Sequence, residues 1–270
     1  MTMNILITGA TDGIGFETAK LLRAQGHDLL LHGRSEEKLD HVRAALEAIH
    51  ADGRVATYRA DLSDLADTAE FAREVLAQEE ALDVLINNAG VFRMANPKTD
   101  EGLDARFAVN TIAPYILARA LAPLLGAEGR IVNLSSAAQS PVTNGALEGR
   151  QRLTDNAAYS QSKLALTMWS RQLAEEWGDT GPSVVAVNPG SFLASKMVKE
   201  AYGMQGNDLS IGANILTLAA TAPEFGRAAS GRYFDNDSGN FGDPHPDALD
   251  PEKNAAVVAR IKTVLQTLNL

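Results

Sequence analysis

Short apolar runs rich in β-branched residues alternate along the chain with longer runs in which apolar positions recur at helical spacing. The short runs predict strands, and the longer runs predict helices that turn one face toward a core. The predicted strands are Asn4–Thr8, Asp28–His32, Val55–Arg59, Val84–Asn87, Arg130–Leu134, Ser183–Asn188 and Arg232–Phe234. The predicted helices are Ile14–Ala24, Glu36–Ile49, Leu65–Gln78, Leu103–Leu125 and Ala157–Trp177.

Strands that alternate with helices are joined by right-handed crossovers and therefore run parallel. The pattern predicts an α/β fold, a doubly wound parallel sheet with helices on both faces. No linker, repeat or low-complexity tract divides the 270 residues, so we interpret residues 1–270 as a single domain.

Three segments interrupt the alternation: Ala138–Asn156, Gly190–Ser210 and Asp235–Asp250. We expect the first two to flank a pocket at the carboxyl ends of the strands, where open α/β sheets bind ligands. The third is predicted to be a surface loop, with edge capping or a subunit contact as the alternative.

Composition narrows the possible functions. The chain has no cysteine, which excludes disulfides, thiol catalysis and zinc–thiolate sites. A net charge of −10 argues against a nucleic-acid partner, and the five histidines show no metal-ligand spacing. The first residues lack a basic and apolar leader, and no apolar run approaches the ~20 residues that cross a bilayer. We therefore expect a cytoplasmic protein with neither a metal nor a membrane partner.

A glycine-rich turn, Thr8-Gly9-Ala10-Thr11-Asp12-Gly13-Ile14-Gly15, joins the first strand to the first helix. Glycines let the backbone approach a pyrophosphate, and the N–H groups and positive dipole end of the helix favour that anion. The turn predicts a dinucleotide site formed by Gly9, Thr11, Asp12, Gly13, Ile14 and Gly15.

The end of the second strand indicates which dinucleotide is bound. An acid there would hold the ribose 2′-hydroxyl of NAD, whereas a cation there would hold the 2′-phosphate of NADP. The chain places Arg34 and Ser35 at this point, without an acid. We favour NADP(H), with NAD(H) as the alternative, in which case Arg34 is a solvated turn residue and Ser35 only a helix N-cap.

Tyr159 and Lys163 are four residues apart in a predicted helix, so their side chains share one face. A nearby ammonium group lowers the pKa of a phenol, whose ordinary value is about 10. A phenol with a lowered pKa can exchange a proton during carbonyl reduction or alcohol oxidation. A single pair of this spacing is common by chance, so its weight depends on the other motifs.

The ordered motifs resemble the short-chain dehydrogenase/reductase family in its compact one-domain branch. The resemblance covers nearly the whole chain and implies a Rossmann-like sheet of about seven strands. The matching motifs are Thr8-Gly9-x3-Gly13-Ile14-Gly15, Asp61-Leu62, Asn87-Asn88-Ala89-Gly90, Asn110, Ile131-Val132-Asn133-Leu134-Ser135-Ser136, Tyr159-x3-Lys163 and Asn188-Pro189-Gly190.

The resemblance implies a role for each matching residue. Tyr159 would be the acid/base, and Lys163 would lower its pKa and hold the nicotinamide ribose. Ser136 would hydrogen-bond the substrate oxygen, with Ser135 as the alternative. Asn110 would order a water in a proton relay, unless it only caps or kinks a helix. The nucleotide contacts implied besides the glycine turn are Asp61 and Leu62 at the adenine, Asn88, Ala89 and Gly90 beneath the nucleotide, and Pro189 and Gly190 near the nicotinamide.

Two features depart from the common pattern of the family. Gln139 stands where a glycine often follows the serine, and 23 residues separate Ser136 from Tyr159 instead of the usual dozen or so. The subgroup that resembles retinol dehydrogenases and protochlorophyllide reductases has a similarly long segment and a strand like Gly231-Arg232-Tyr233-Phe234. The segment could shape a pocket for a bulky apolar carbonyl, or alter the surface through which relatives assemble.

These observations predict an oxidoreductase that transfers a hydride between NADP(H) and a small-molecule carbonyl or alcohol, acting as a carbonyl reductase. Two alternatives remain open: a nucleotide-binding regulatory protein without turnover, and an epimerase or dehydratase that uses the same Tyr-Lys pair. The family implies a homodimer or homotetramer. A predicted apolar wall over the nicotinamide, which ordinary packing would explain equally well, consists of Phe192, Leu193, Met197, Val198, Tyr202 and Met204.

Overall fold

The computed structural model of the chain describes residues 2–191, 193 and 206–270. The strands are β1 Asn4–Ile7, β2 Asp28–Gly33, β3 Val55–Arg59, β4 Val84–Asn87, β5 Arg130–Leu134, β6 Ser183–Asn188, β7 Tyr233–Asp235 and β8 Asn240–Gly242. The α-helices of the described residues are α1 Gly13–Ala24, α2 Glu36–Glu47, α3 Leu65–Gln78, α4 Ala105–Phe107, α5 Ala113–Leu125, α6 Asn144–Leu147, α7 Asp155–Trp177, α8 Leu209–Thr221 and α9 Pro251–Thr267.

The strands form one sheet in the order β3-β2-β1-β4-β5-β6-β7-β8. All neighbours pair in parallel except β7 and β8, which are antiparallel. The strand order reverses between β1 and β4, and such a switch point opens a crevice at the carboxyl ends of the strands. The predicted α/β fold with a doubly wound sheet is confirmed.

Alternation along the strands supplies two cores, one on each face of the sheet. Ile5 and Ile7 of β1 pack with helices α1, α2 and α8, whereas Leu6 packs with α3, α5, α7 and α9. Successive side chains of a strand point to opposite faces, so a fully apolar strand is buried on both. This explains why the continuous apolar runs were good predictors of strands.

The sheet has eight strands rather than about seven. The additional strand, β8, lies in the polar segment Asp235–Asp250 and is three residues long. Its pairing is created by a turn after β7, where Gly239 has a φ of +71°. The edge-capping alternative for this segment therefore applies, and a strand this short carries no alternating apolar pattern to predict it.

The predicted helix Leu103–Leu125 begins at Ala105 and contains a π-helical turn, Ala108–Ile112, between α4 and α5. The helix Ala105–Leu125 has the length and mean hydropathy, 1.3, of a membrane span, and 72 % of its most apolar window is buried. It packs between α3 and α7, and a buried helix is apolar on most of its surface.

Arg106 lies fully buried where α4 meets the start of α7. It donates to Asp104 through Nε at 2.8 Å and Nη2 at 2.7 Å, and to the carbonyl of Phe92 at 3.3 Å. It also forms an ion pair with Asp155, the first residue of α7. One guanidinium group therefore ties the loop after β4 to the N-terminus of α7.

We predict that Arg106→Ala lowers the free energy of unfolding by about 3–5 kcal/mol, because a buried side chain is removed and the largely buried carboxylate of Asp104 loses its partner. Arg119→Ala is the matched control, since Arg119 pairs with Glu176 at the surface, where loss of a pair costs less than about 1 kcal/mol. Urea denaturation of the wild type and both variants measures the difference. Equal losses in the two variants would contradict the burial argument.

Candidate functional site

The glycine turn lies at the switch point between β1 and β4, packed against the loop that follows β4. Gly9 has a φ of +65°, and a Cβ at this residue would lie 2.9 Å from the Cα of Ala89. A Cβ at Gly15 would lie 2.4 Å from both Nδ2 of Asn88 and the carbonyl oxygen of Gly9. The close approach requires glycine at both positions.

Asn88 joins the two loops. Its Nδ2 donates to the carbonyls of Thr8 and Gly9 at 2.9 and 3.0 Å, and the N–H of Ala89 donates to Oγ1 of Thr8 at 3.1 Å. The side chain of Asn88 thus holds the glycine turn against the loop that follows β4. Gly90 continues the same loop, so the structure brings Asn88, Ala89 and Gly90 to the predicted nucleotide crevice.

Helix α1 begins at the turn with its N-terminus toward the crevice. Asp12 is the N-cap, and its carboxylate accepts the N–H of Gly13 at 2.7 Å. A Cβ at Gly13 would meet no atom within 4 Å, so this end of the helix faces open space. A cradle of this kind fits the pyrophosphate of a dinucleotide, with Thr11 and Ile14 beside it.

Arg34 is exposed immediately after β2, and Ser35 caps α2 by accepting the N–H of Lys38 at 3.4 Å. The hydroxyl of Ser35 therefore has the capping role considered from the sequence. Gly33 was given no role from the sequence. A glycine is required at this position because a Cβ would lie 2.5 Å from Cγ2 of Thr11. The turns after β1 and β2 thus pack together.

Asp61 and Leu62 follow β3 on the same side of the crevice. The carboxylate of Asp61 accepts from the N–H and the hydroxyl of Ser63 at 3.0 and 2.7 Å, and Leu62 is buried. The N–H of Asp61 donates to the carboxylate of Asp67 at 2.6 Å. These bonds hold Asp61 half-buried at the carboxyl end of the sheet, where the resemblance placed the adenine.

The two serines after β5 have different surroundings. Ser135 is buried, and its Oγ lies 2.6 Å from Oγ1 of Thr167 on α7. Ser136 is half-buried, and its Oγ accepts the N–H of Ala138 at 3.1 Å. The contacts of Ser135 join β5 to α7, whereas the hydroxyl hydrogen of Ser136 has no acceptor among the described residues and can be donated.

Gln139 and Tyr233 hold the backbone of Ser136. Nε2 of Gln139 and the hydroxyl of Tyr233 donate to the Ser136 carbonyl at 2.9 and 3.2 Å. Oε1 of Gln139 accepts the N–H of His245 at 3.1 Å, and burial raises the pKa of Tyr233. Gln139, which departs from the usual glycine, thereby links the serine to the segment after β8.

Lys163 lies on α7, one turn after Tyr159, and its amine is buried at the carboxyl end of β5. Nζ donates to the carbonyl of Leu134 at 2.7 Å and lies 5.8 Å from the centroid of the Tyr159 ring. Burial lowers the pKa of Lys163 to about 8. The amine and the aromatic ring therefore face the same region, as the helical spacing predicted.

Phe92 packs against the Tyr159 ring, with ring centroids 4.7 Å apart. The carbonyl of Phe92 accepts from Arg106, and the residue follows the Asn87–Gly90 motif by two positions. Sequence reasoning missed Phe92 and Arg106, since their contacts join distant parts of the chain.

Asn110 sits in the π-helical turn before α5. Its Oδ1 accepts the N–H of Val91 at 2.8 Å, and its Nδ2 donates to the Val91 carbonyl and to Oγ of Ser162 at 2.9 and 3.0 Å. The side chain joins the loop after β4 to α7. Oγ of Ser162 in turn donates to the carbonyl of Tyr159 at 2.7 Å.

Pro189 and Gly190 follow β6. Gly190 has a φ of +118°, and the Pro189 carbonyl accepts from Nδ2 of Asn236 at 2.9 Å. Of the predicted apolar wall, Leu193 is buried beside Gly190 and Gly212. Phe192, Met197, Val198, Tyr202 and Met204 lie outside the described residues. Among the residues that the structure describes, no group of three or more acidic or histidine side chains is placed to hold a metal ion.

Comparison with known proteins agrees with this geometry. The model of the short chain dehydrogenase family matches residues 3–206. Retinol dehydrogenase 13 of Mus musculus is 31 % identical over 267 residues, covering 92 % of this chain and 79 % of the relative. Retinol dehydrogenase 12 of Mus musculus is 35 % identical over 202 residues, covering 73 % of this chain and 64 % of the relative.

Solved structures give the same result. A short chain dehydrogenase from Burkholderia cenocepacia J2315 in complex with NADP has a TM-score of 0.69, 29 % identity, and coverage of 88 % of this chain and 97 % of its own. A protein described as a short chain dehydrogenase from Shigella flexneri 2a, complexed with NADP, has a TM-score of 0.66, 27 % identity, and coverage of 87 % and 96 %. The chain therefore belongs to the short chain dehydrogenase family, as an NAD(P)-dependent oxidoreductase similar to the retinol dehydrogenases.

Proposed function

We propose that this protein reduces the carbonyl group of a bulky, apolar small molecule with NADPH, and that Tyr159 is the acid/base. The observation that carries the proposal is the position of the Lys163 amine, buried against the Leu134 carbonyl and 5.8 Å from the centroid of the Tyr159 ring. A buried cation beside a phenol stabilises the ionised form that proton transfer creates.

The nucleotide half of the site fits a dinucleotide. A bound NADPH would supply the hydride. Gly9, Gly13 and Gly15 would surround its pyrophosphate, Asp61 would lie by the adenine, and Arg34 would hold a 2′-phosphate through a charge-assisted bond. Both solved relatives described above contain NADP, which supports the choice of NADP(H) over NAD(H).

In the catalytic half, the hydroxyl groups of Ser136 and Tyr159 have different roles. The oxygen of Ser136 accepts the N–H of Ala138 at 3.1 Å, so its hydrogen can be donated to the substrate carbonyl oxygen. As negative charge develops on that oxygen, this bond becomes stronger in the transition state than in the ground state. Tyr159 then gives its proton to the oxygen and is left as a phenolate beside Lys163.

Lys163 remains charged at neutral pH although it is buried. Burial lowers its pKa to about 8, which is still above 7, so the ammonium form prevails. Its charge faces a ring and a carbonyl rather than water. In the proposed mechanism this charge acts on Tyr159, and Asn110 helps a water carry a proton from solvent by way of Lys163 back to the Tyr159 phenolate.

The position of segment 138–156 is consistent with a pocket for a bulky apolar substrate. Ser140 and Thr143 bond to Ser160 and Gln161, the two residues that follow Tyr159, with Ser140 Oγ 2.6 Å from Ser160 Oγ. The segment therefore lies against the face of α7 beside Tyr159, where it can form a pocket wall. The relatives named as retinol dehydrogenases make a retinoid aldehyde the first substrate to test.

We predict that Tyr159→Phe lowers kcat for carbonyl reduction at least ~100-fold while NADPH still binds, because the proton donor is lost and the nucleotide contacts remain. Tyr115→Phe is the control: its hydroxyl is buried and has no hydrogen-bond partner among the described residues. Oxidation of NADPH is followed across ketones, aldehydes, quinones and retinoid- or steroid-like carbonyls.

Three outcomes of this screen would overturn the proposal. If no carbonyl oxidises NADPH, a nucleotide-binding regulatory protein is the better interpretation. If a substrate is converted without net loss of NADPH, the protein is an epimerase or dehydratase. If Tyr159→Phe retains full turnover, the phenol is not the proton donor.

The cofactor preference gives a second prediction. Arg34→Ala should raise KM for NADPH about 10–100-fold and leave KM for NADH nearly unchanged, because a charge-assisted bond to phosphate is worth about 1.5–3 kcal/mol. Arg43→Ala, at an exposed residue of α2, removes the same charge and serves as the control. Equal changes in KM for NADPH and NADH would contradict a 2′-phosphate contact.

The pKa of Lys163 gives a third prediction. Its value is about 10.5 in the unfolded chain and about 8 in the fold, so the unfolded state binds more protons between these pH values. The stability of the wild type relative to Lys163→Met should therefore rise by up to about 3 kcal/mol from pH 8 to pH 10.5. Chemical denaturation of both proteins without nucleotide measures this difference.

Lys262→Met is the matched control, because it removes the same charge from an exposed residue of α9. A difference for Lys163→Met that does not change with pH would mean that the amine is solvated. Such a result would remove the main physical support for the proposed role of Lys163.

A further inference from the structure

His32 is a buried side chain for which the proposed reaction has no use. It belongs to β2 and lies beneath the glycine turn, with 2 % of its surface exposed. Nδ1 lies 3.2 Å from the backbone nitrogen of Gly9, and Nε2 lies 3.1 Å from the carbonyl oxygen of Ala60. The ring therefore bridges the turn after β1 and the end of β3.

These two partners fix the tautomer of the ring. A backbone N–H can only donate and a carbonyl can only accept, so Nδ1 carries a lone pair and Nε2 carries the proton. Burial also lowers the pKa of His32 to about 4, which keeps the ring neutral. A protonated ring would direct an N–H toward the N–H of Gly9 and could not make this contact.

The ring is held rigidly in this position. Phe71 of α3 stacks on it, with centroids 4.8 Å apart and the planes inclined by 28°. The backbone carbonyl of His32 accepts the N–H of Ala10 at 3.0 Å, and the carbonyl of Gly33 accepts the N–H of Ala60 at 3.2 Å. One residue thus connects the chain segments after β1, β2 and β3.

We propose that His32 is a positioning residue for nucleotide binding, which holds the glycine turn in its binding conformation by accepting the N–H of Gly9. All three connected segments carry residues assigned to the dinucleotide: Gly9 in the first, Arg34 in the second and Asp61 in the third. The inference rests on the proposed nucleotide site. It adds that the affinity of this site depends on a neutral imidazole that does not touch the ligand.

His27 provides a control next to the same strand. It lies just before β2, is 7 % exposed, and its Nδ1 accepts the N–H of Met3 at 3.1 Å. The same type of contact is therefore made at the amino end of the sheet, far from the crevice. His27→Leu should cost stability and leave nucleotide affinity unchanged.

Three substitutions of His32 separate its two hydrogen bonds. The amide oxygen of asparagine occupies the place of Nδ1 and can accept from Gly9, whereas the amide nitrogen of glutamine occupies the place of Nε2 and can donate to Ala60. His32→Leu loses both bonds. Comparison of His32→Asn with His32→Gln therefore isolates the contact with Gly9, even if His32→Leu does not fold.

The test is the Kd of NADPH, measured by the change in its fluorescence on binding, together with kcat at saturating NADPH. His32→Leu and His32→Gln should raise Kd about tenfold, and His32→Asn should stay within about threefold of the wild type, since one neutral hydrogen bond is lost or kept. All folded variants should keep kcat within about twofold, because the catalytic half is unchanged.

An unchanged Kd in His32→Gln, or a larger loss in His32→Asn than in His32→Gln, overturns the proposal. A raised Kd in His27→Leu also overturns it, since the effect would then follow from general loss of stability. If the wild type itself does not bind NADPH, the nucleotide site is wrong and the role of His32 falls with it. Binding without carbonyl turnover would contradict only the proposed reaction.

Discussion

The buried ammonium group of Lys163 is the constraint on which the arrangement of the proposed catalytic half depends. A cation without water must have a fixed acceptor, and the Leu134 carbonyl at the end of β5 provides it. This contact therefore fixes the position of helix α7 along the direction of the strands. Buried polar contacts keep it there: Asn133 on β5 donates to Ser170 at 2.8 Å, and Thr111 donates to the Ser162 carbonyl at 2.8 Å. The packing of this helix offsets the free energy required to remove the ammonium group from water.

The two halves of the site use different parts of the chain. In the nucleotide half the turns approach one another through backbone, so their sequence requirement is mainly the absence of a Cβ at Gly9, Gly15 and Gly33. The proposed catalytic half is formed by side chains that extend from the end of β5 and from α7. A sequence motif records both requirements directly, because each concerns a residue type at a fixed spacing.

The same distinction explains what could be predicted from the sequence. Buried strands appear as apolar runs, and Tyr159 and Lys163 face the same region because a helix fixes their spacing. The contacts of Arg106, Phe92 and His32 join residues that are far apart in sequence, so no local pattern indicates them. The π-helical turn around Asn110 was missed for a related reason, since its apolar residues continue the period of the flanking helices.

The antiparallel strand β8 has a consequence for the border of the sheet. Without it, the N–H and C=O groups of β7 would line an open margin to which a foreign strand could bond. Pairing with β8 covers that margin, and Phe241 packs on Phe225 and Phe234 at centroid distances of 5.1 and 5.0 Å. The new outer rim is only three residues long, too short a template for extended intermolecular strand pairing. A polar hairpin thus protects this side of the molecule against self-association through its backbone.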